Sequence, residues 1–175
     1  MVIDKNKYFK NINVKAKILS ECALSIAKSD DNYVEWNGEF CSKWLDSKLV
    51  YSCCPGLLMV NNIAKIDHFS VFKMTPNKTY KLHVDNHRGV VINMLLEHED
   101  SMCKFFSPTS ASPGLGNPTV LHYQPNTLYL FNTQLPHMVE NFAGTRYLFQ
   151  TVFQEDLTTL LYPRVLAGLA KANLV

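Results

Sequence analysis

The stretch TYKLHVDNHRGVVINMLL, residues 79–96, decides how the chain is read. Its two halves, Thr79 to Asp85 and Gly89 to Leu96, are rich in β-branched and apolar residues and are parted by the turn pair Asn86-His87. This pattern predicts two short strands. In an extended segment alternate side chains share a face, so His83 and Asp85 present an imidazole and a carboxylate side by side.

Working outward, similar segments recur at Ile66 to Met74, Cys103 to Phe106, Thr119 to Tyr123, Thr127 to Asn132 and Arg146 to Phe153. They are separated by Thr75-Pro76-Asn77, Gln124-Pro125-Asn126, Ala143-Gly144 and the run SPTSASPGLGNP from Ser107 to Pro118. Many short strands with turn clusters between them predict an antiparallel sandwich or jelly roll, not a parallel sheet with helical crossovers. The Ser107 to Pro118 run is either a loop at the rim of a site or an inert excursion.

Helices flank this β region in the reading. Val14, Ile18, Cys22 and Ile26 recur at four-residue steps within Val14 to Lys28, which predicts an amphipathic helix. Tyr33 to Leu49, with Trp36, Phe40 and Trp44, reads as a second helix broken near Gly38, and Cys54-Pro55-Gly56 as a turn. Helical spacing returns over Asp156 to Ala172. The expectation is one domain over residues 1–175, mainly β with flanking helices. A helical cover (1–60) packs on one sheet of a jelly-roll core (61–155), and a C-terminal helix (156–175) follows.

Composition removes several function classes. The chain has 175 residues, of which 47% are hydrophobic and 18% charged, and this is the profile of a folded protein rather than a disordered one. A net charge of +2 from dispersed side chains leaves no basic stripe, so nucleic acid is not an expected partner. No run of about 18 apolar residues is present, and Met1 to Lys10 mixes Asp, Asn and Lys, so the expectation is a cytoplasmic protein without membrane contact. The five cysteines are odd in number and irregularly spaced, which suits buried thiols better than a disulfide framework or a zinc knuckle.

A metal site needs a third ligand beyond His83 and Asp85. His137 is the best candidate, because it follows the segment Leu128 to Asn132 in the turn-like Gln134-Leu135-Pro136-His137. Two neutral nitrogens and one carboxylate on one face leave three positions open on an octahedral ion, the arrangement of non-haem Fe(II) oxygenases. Zinc enzymes use the same ligand types. An oxygenase that consumes 2-oxoglutarate must also hold its distal carboxylate, for which the fork of Arg is best suited. Arginine is scarce here, with only Arg88, Arg146 and Arg164. Arg146 opens an apolar strand, where a charged side chain needs a partner, and is the first choice of clamp; Arg88, three residues past Asp85, is the second. The bland alternatives are that His137 caps a turn and that Arg146 pairs with Glu140 or Glu155 at the surface. His87 reads as solvated, and His68, His98 and His122 as structural.

The order H-x-D, about fifty residues, His, about ten residues, Arg, within a run of short strands, resembles the Fe(II)/2-oxoglutarate-dependent oxygenases with a double-stranded β-helix. The string from Phe72 to Asp85 and the string from Leu128 to Asn141 (LYLFNTQLPHMVEN) are similar to the entry and exit of the metal site in aspartyl/asparaginyl β-hydroxylase-like members; prolyl-hydroxylase-like members are the other branch the motif resembles, although they usually carry Lys where this chain has Arg146. The likeness spans residues 66–153. It implies that His83, Asp85 and His137 hold Fe(II) and that Arg146 binds 2-oxoglutarate. It also implies that Arg88 serves the site, that Asn93 faces the cosubstrate and that Tyr80 lends a hydroxyl. O2 would be the second cosubstrate, with ascorbate supporting turnover. The implied activity is hydroxylation of a C–H bond in a peptide, an amino acid or a small metabolite, with release of succinate and CO2. The other classes left open are a cupin-type metalloprotein that does not use 2-oxoglutarate and a non-catalytic jelly-roll binding module.

Overall fold

The computed structural model describes residues 5–29, 32–36, 40–97, 100–107, 117–156 and 158–175. After a 3-10 turn (Lys5–Lys7) come β1 (Phe9–Ile12), α1 (Lys17–Lys28), β2 (Val34–Trp36), β3 (Phe40–Leu45), α2 (Ser47–Cys53) and α3 (Gly56–Ile63). Then follow β4 (Ile66–Met74), β5 (Lys78–His83), β6 (Val90–Leu95), β7 (Ser101–Phe105), β8 (Thr119–Leu121), β9 (Leu128–Asn132), β10 (His137–Asn141), β11 (Arg146–Phe153) and α4 (Tyr162–Lys171). Two antiparallel sheets result. The larger has the order β1-β9-β6-β11-β4-β3-β2 and the smaller β5-β10-β7-β8.

The turns are made by the residues that favour them. Asn77 and Asn126, each after a proline, take left-handed backbone conformations (φ 57° and 55°) that Asn tolerates better than most side chains. At the start of α2 the Asp46 carboxylate accepts a hydrogen bond from the Leu49 N–H at 2.8 Å, satisfying one of the free donors of the first turn.

The central strands of the large sheet are covered on both faces. In β6 every residue is buried: Val90, Ile92 and Met94 join a core formed with the helices, while Val91 and Leu95 join a second core between the sheets. β9 divides likewise, with Leu128 and Leu130 toward the helices and Tyr129 and Phe131 toward the small sheet. The helical layer places Leu19, Val50, Leu57, Val60, Val165 and Leu169 against the outer face. Burial of each such side chain stabilises the fold by roughly 1.5–3 kcal/mol. The fold is therefore mainly β with helices packed on one sheet, as expected.

Three local expectations are corrected. The described residues between 33 and 46 are not helical, the helix beginning only at Ser47: β2 pairs antiparallel with β3, and β3 with β4, Phe40 lying opposite Met74 and Leu45 opposite Phe69. The helical cover expected over residues 1–60 thus also contains three strands of the large sheet. A step of four residues is the source of the error, because it is close to one helical turn and is also an even number of strand positions, so both geometries keep Phe40 and Trp44 on one face. Second, the buried residues of α1 are Leu19, Ser20, Ala23 and Ala27, whereas Ile18 is 65% exposed. Leu19 apart, the buried face is made of small side chains, which a reading of apolar periodicity weights less than Val or Ile. Third, His137 opens strand β10 instead of sitting in a turn. The short string HMVEN has little intrinsic strand character, and its extended form comes from pairing with β5 on one side and β7 on the other.

Ile18→Ala should accordingly change stability by less than about 0.5 kcal/mol, whereas Ala23→Leu should lower it by about 1–3 kcal/mol through overpacking. Urea unfolding of the two variants checks this, and the reverse ranking would contradict the buried stripe.

Candidate metal centre

Pairing of β10 with β5 sets His137 opposite His83. Val139 lies opposite Tyr80, so β5 advances three residues while β10 advances two. Such a bulge re-aims a side chain, and the two imidazole centroids stand 4.2 Å apart. Asp85 lies just beyond the end of β5, where its N–H donates to the Thr133 carbonyl at 3.1 Å. A clasp between two loops holds it there. Gln134 Nε2 donates to the carbonyls of Asp85 and Arg88, both at 2.9 Å, and Thr133 Oγ1 donates to the Arg88 carbonyl at 2.6 Å. As a result, one ligand-type atom each from His83, Asp85 and His137 lies within 4.8 Å of the others.

The protonation of the triad suits a cation. His83 Nδ1 lies 2.8 Å from the Lys81 carbonyl and His137 Nδ1 2.9 Å from that of Leu135. A carbonyl oxygen only accepts, so Nδ1 of each ring carries the hydrogen, and in the neutral ring Nε2 carries a lone pair. His83 Nε2 is buried without a hydrogen-bond donor and stands 3.3 Å from Asp85 Oδ1. A contact that close between these two atoms is favourable only with a proton or a metal ion between them. Burial lowers the His137 pKa to about 4, with the neighbouring His83 adding to the effect, so His137 is neutral at pH 7. Burial opposes ionisation of Asp85, but His83 and the Arg88 guanidinium outweigh it and bring that carboxyl to about 2. Two imidazole lone pairs and a carboxylate is the donor set of a divalent transition metal.

Arg88, Gln150 and Asn93 form a polar chain behind Asp85. Arg88 Nε donates to Asp85 Oδ2 at 2.5 Å, Arg88 Nη1 to Gln150 Oε1 at 2.7 Å, and Gln150 Nε2 to Asn93 Oδ1 at 3.0 Å. Asn93 lines the cavity between the sheets, as does Tyr80, whose ring packs 4.1 Å from that of His83 and 4.7 Å from that of Phe40.

Arg146 lines the same cavity and is only 5% exposed. Its Nη2 donates to the Tyr123 hydroxyl at 3.3 Å, and its Nε is buried without a partner. Neither surface carboxylate pairs with it: Glu140 is bound by Lys104 and Glu155 by Arg164. Nor do its buried neighbours supply an anion. Burial raises the Cys103 thiol to about 12 and pushes the Tyr123 phenol above its ordinary value, so both are neutral. Among the described residues the Arg146 charge has no counter-ion, which a buried cation requires.

Thr133, Gln134, Gln150 and Tyr123 went unnoticed in the sequence. Gln150 alone left a signal, as a polar residue of inward parity in the apolar string RYLFQTVF. Of the other imidazoles, His87 is exposed and His68 pairs with Asp67 and stacks on Trp44, both on the open groove that reaches His83 and Asp85, and His122 is exposed. His98 and residues 108–116 of the Ser107 to Pro118 run fall outside the described residues.

No family model and no curated protein matches the chain by sequence. Solved structures do match. The fold is the double-stranded β-helix of the 2-oxoglutarate/Fe(II) oxygenases. A prolyl hydroxylase from Trichoplax adhaerens, in complex with a hypoxia inducible factor oxygen degradation domain peptide fragment, superposes with a TM-score of 0.59 at 17% identity, over 85% of this chain and 84% of that one. HygX from Streptomyces hygroscopicus, with nickel and 2-oxoglutarate bound, gives 0.58 at 11% identity, covering 84% and 83%. The non-heme alpha ketoglutarate dependent epimerase SnoN from nogalamycin biosynthesis gives 0.58 at 11% identity, covering 86% and 79%.

In metal-free protein His137 links stability to pH. Its folded value of about 4 lies below the ordinary 6.5, so as pH falls from 6.5 toward 4 the unfolded chain takes up a proton that the folded one refuses. Stability is then lost by roughly 3 kcal/mol over that window and is insensitive to this group above it. Urea unfolding of EDTA-treated wild type and His137→Phe across pH 4–8 should show a flatter profile for the variant, and equal slopes would refute the assignment.

Proposed function

We propose that the chain is an Fe(II)- and 2-oxoglutarate-dependent oxygenase that hydroxylates a C–H bond of a peptide, an amino acid or a small metabolite. One observation carries this reading: a buried arginine without a counter-ion among the described residues shares a cavity with two imidazoles and a carboxylate. A metal site alone would suit a cupin, and a jelly-roll binding module needs neither feature. A cation site joined to a fixed guanidinium fits a ligand that is a chelator at one end and a carboxylate at the other, as 2-oxoglutarate is.

In this reading His83 and His137 would hold the metal through Nε2 and Asp85 through Oδ1. Iron held there supplies the coupling of O2 and 2-oxoglutarate, which become succinate and CO2, to delivery of a hydroxyl to the substrate. The chain's part is placement. Arg146 would bind the distal carboxylate, with the Tyr123 hydroxyl accepting from Arg146 and so holding the guanidinium in place. Val91, Phe131 and Leu148 line the cavity and exclude water around that ion pair, which strengthens it. His83 and Asp85 also line an open groove with Phe72 and Val152, through which a substrate would approach. The hydroxylase reading rests on the motif resemblance, since the fold neighbours include an epimerase and a carbocyclase as well as prolyl hydroxylases. Among the described residues no helix is long and apolar enough to cross a membrane.

Anaerobic titration with Fe(II) and then 2-oxoglutarate should produce the weak visible band of a chelated 2-oxo acid. His137→Ala should abolish the band, and Arg146→Ala should raise the half-saturating 2-oxoglutarate concentration at least about tenfold, the value of a lost charge-assisted hydrogen bond. Metal binding without a band would move the assignment to the cupin class, and no metal binding to a binding module.

A further inference from the structure

We infer that Arg88 is a positioning residue that restricts Asp85 to a single metal-binding oxygen; the inference rests on the metal-site reading above. The two carboxylate oxygens are already divided. Oδ1 faces His83 Nε2 at 3.3 Å, while Oδ2 accepts from Arg88 Nε at 2.5 Å. The guanidinium is itself held from behind, because Nη1 donates to Gln150 Oε1 at 2.7 Å and the Gln150 amide is pinned to Asn93 Oδ1 at 3.0 Å. A guanidinium only donates, so the Gln150 oxygen must face Arg88 and its nitrogen must face Asn93. The direction of every bond in the chain is fixed, and the carboxylate cannot turn Oδ2 toward the cavity without breaking a charge-assisted bond. The Asp85 side chain is 8% exposed and that of Arg88 26%, so water that could replace the bond reaches the guanidinium more readily than the carboxylate.

The consequence follows from counting positions on an octahedral ion. Two imidazoles and one carboxylate oxygen leave three positions, enough for a 2-oxo acid chelated through two atoms and one further ligand. Were Asp85 to bind through both oxygens, only two would remain, and the chelator would fill them. Arg88 thus decides whether a third molecule can reach the metal, without itself touching it.

The test uses nitric oxide as a probe of the last position, read by electron paramagnetic resonance of the anaerobic protein loaded with Fe(II) and 2-oxoglutarate. Wild type should form the nitrosyl signal. Arg88→Gln should retain Fe(II) within about threefold of the wild-type affinity yet need at least about tenfold more nitric oxide. Arg88→Lys, which keeps one cationic donor for Oδ2, should restore the signal, and a purely structural role would not separate the two variants in this way. Equal nitric oxide affinity in wild type and Arg88→Gln overturns the inference while leaving the metal site intact. Loss of Fe(II) from a folded Arg88→Gln also overturns it, since Arg88 would then be holding the carboxylate in place rather than choosing its oxygen. Failure of wild type to bind Fe(II) removes the metal-site reading and this inference with it. Should Arg88→Gln not fold, Gln150→Leu, which frees the far end of the guanidinium, should show an intermediate loss of nitric oxide affinity, and wild-type affinity there overturns the inference.

Discussion

The site depends on one pairing, that of β10 with β5 across a bulge. Without it His83 and His137 would lie on separate strands with no reason to converge; with it their rings stand 4.2 Å apart. β10 is also paired to β7, so neither histidine can shift without disturbing the middle of the small sheet. Rigid placement matters because a metal ligand set tolerates little error in distance. The clasp of Thr133 and Gln134 on the 85–89 turn extends that rigidity to Asp85, which the sheet itself does not reach.

Around this frame the protein keeps arrangements that disfavour its own stability. Among the described residues Arg146 is buried without a counter-ion, and His83 Nε2 meets a carboxylate oxygen at 3.3 Å, a contact that needs a proton or a cation between the two atoms. Each costs free energy in the ligand-free molecule. The core between helices and large sheet, with Phe69, Phe149, Leu128 and Leu169 almost wholly buried, is where compensating stability resides. Such local conflict within an otherwise consistent fold is what a functional site looks like. Ligands of opposite charge would relieve both at once, a cation between His83 and Asp85 and an anion against Arg146.

Much of this was legible in residue order. β4 and β11 run over the segments that composition marked, because their apolar runs are long and bounded by turn residues. His83 and Asp85 announced themselves by spacing, and Arg146 by being a charge at the head of an apolar strand. Residues 34–45 misled, since aromatic residues four apart satisfy a helix and a strand alike and only pairing with β4 settles the matter. Tyr123 gave no sign of its role: a tyrosine near a strand end is common, and its bond to Arg146 exists only because two strands from different sheets face one another.

The sequence by itself determined the β-rich class, the H-x-D pair, the candidate third histidine and the cation expected to need an anion, because these follow from local periodicity and from the cost of burying charge. The tertiary structure alone decided that Arg146 lacks a carboxylate among the described residues, that it meets Tyr123, and that Gln150 stands behind Arg88. Those facts are set by contacts between residues up to 62 positions apart. Local propensity carries no information about such contacts, and the closing of one sheet over the other creates them.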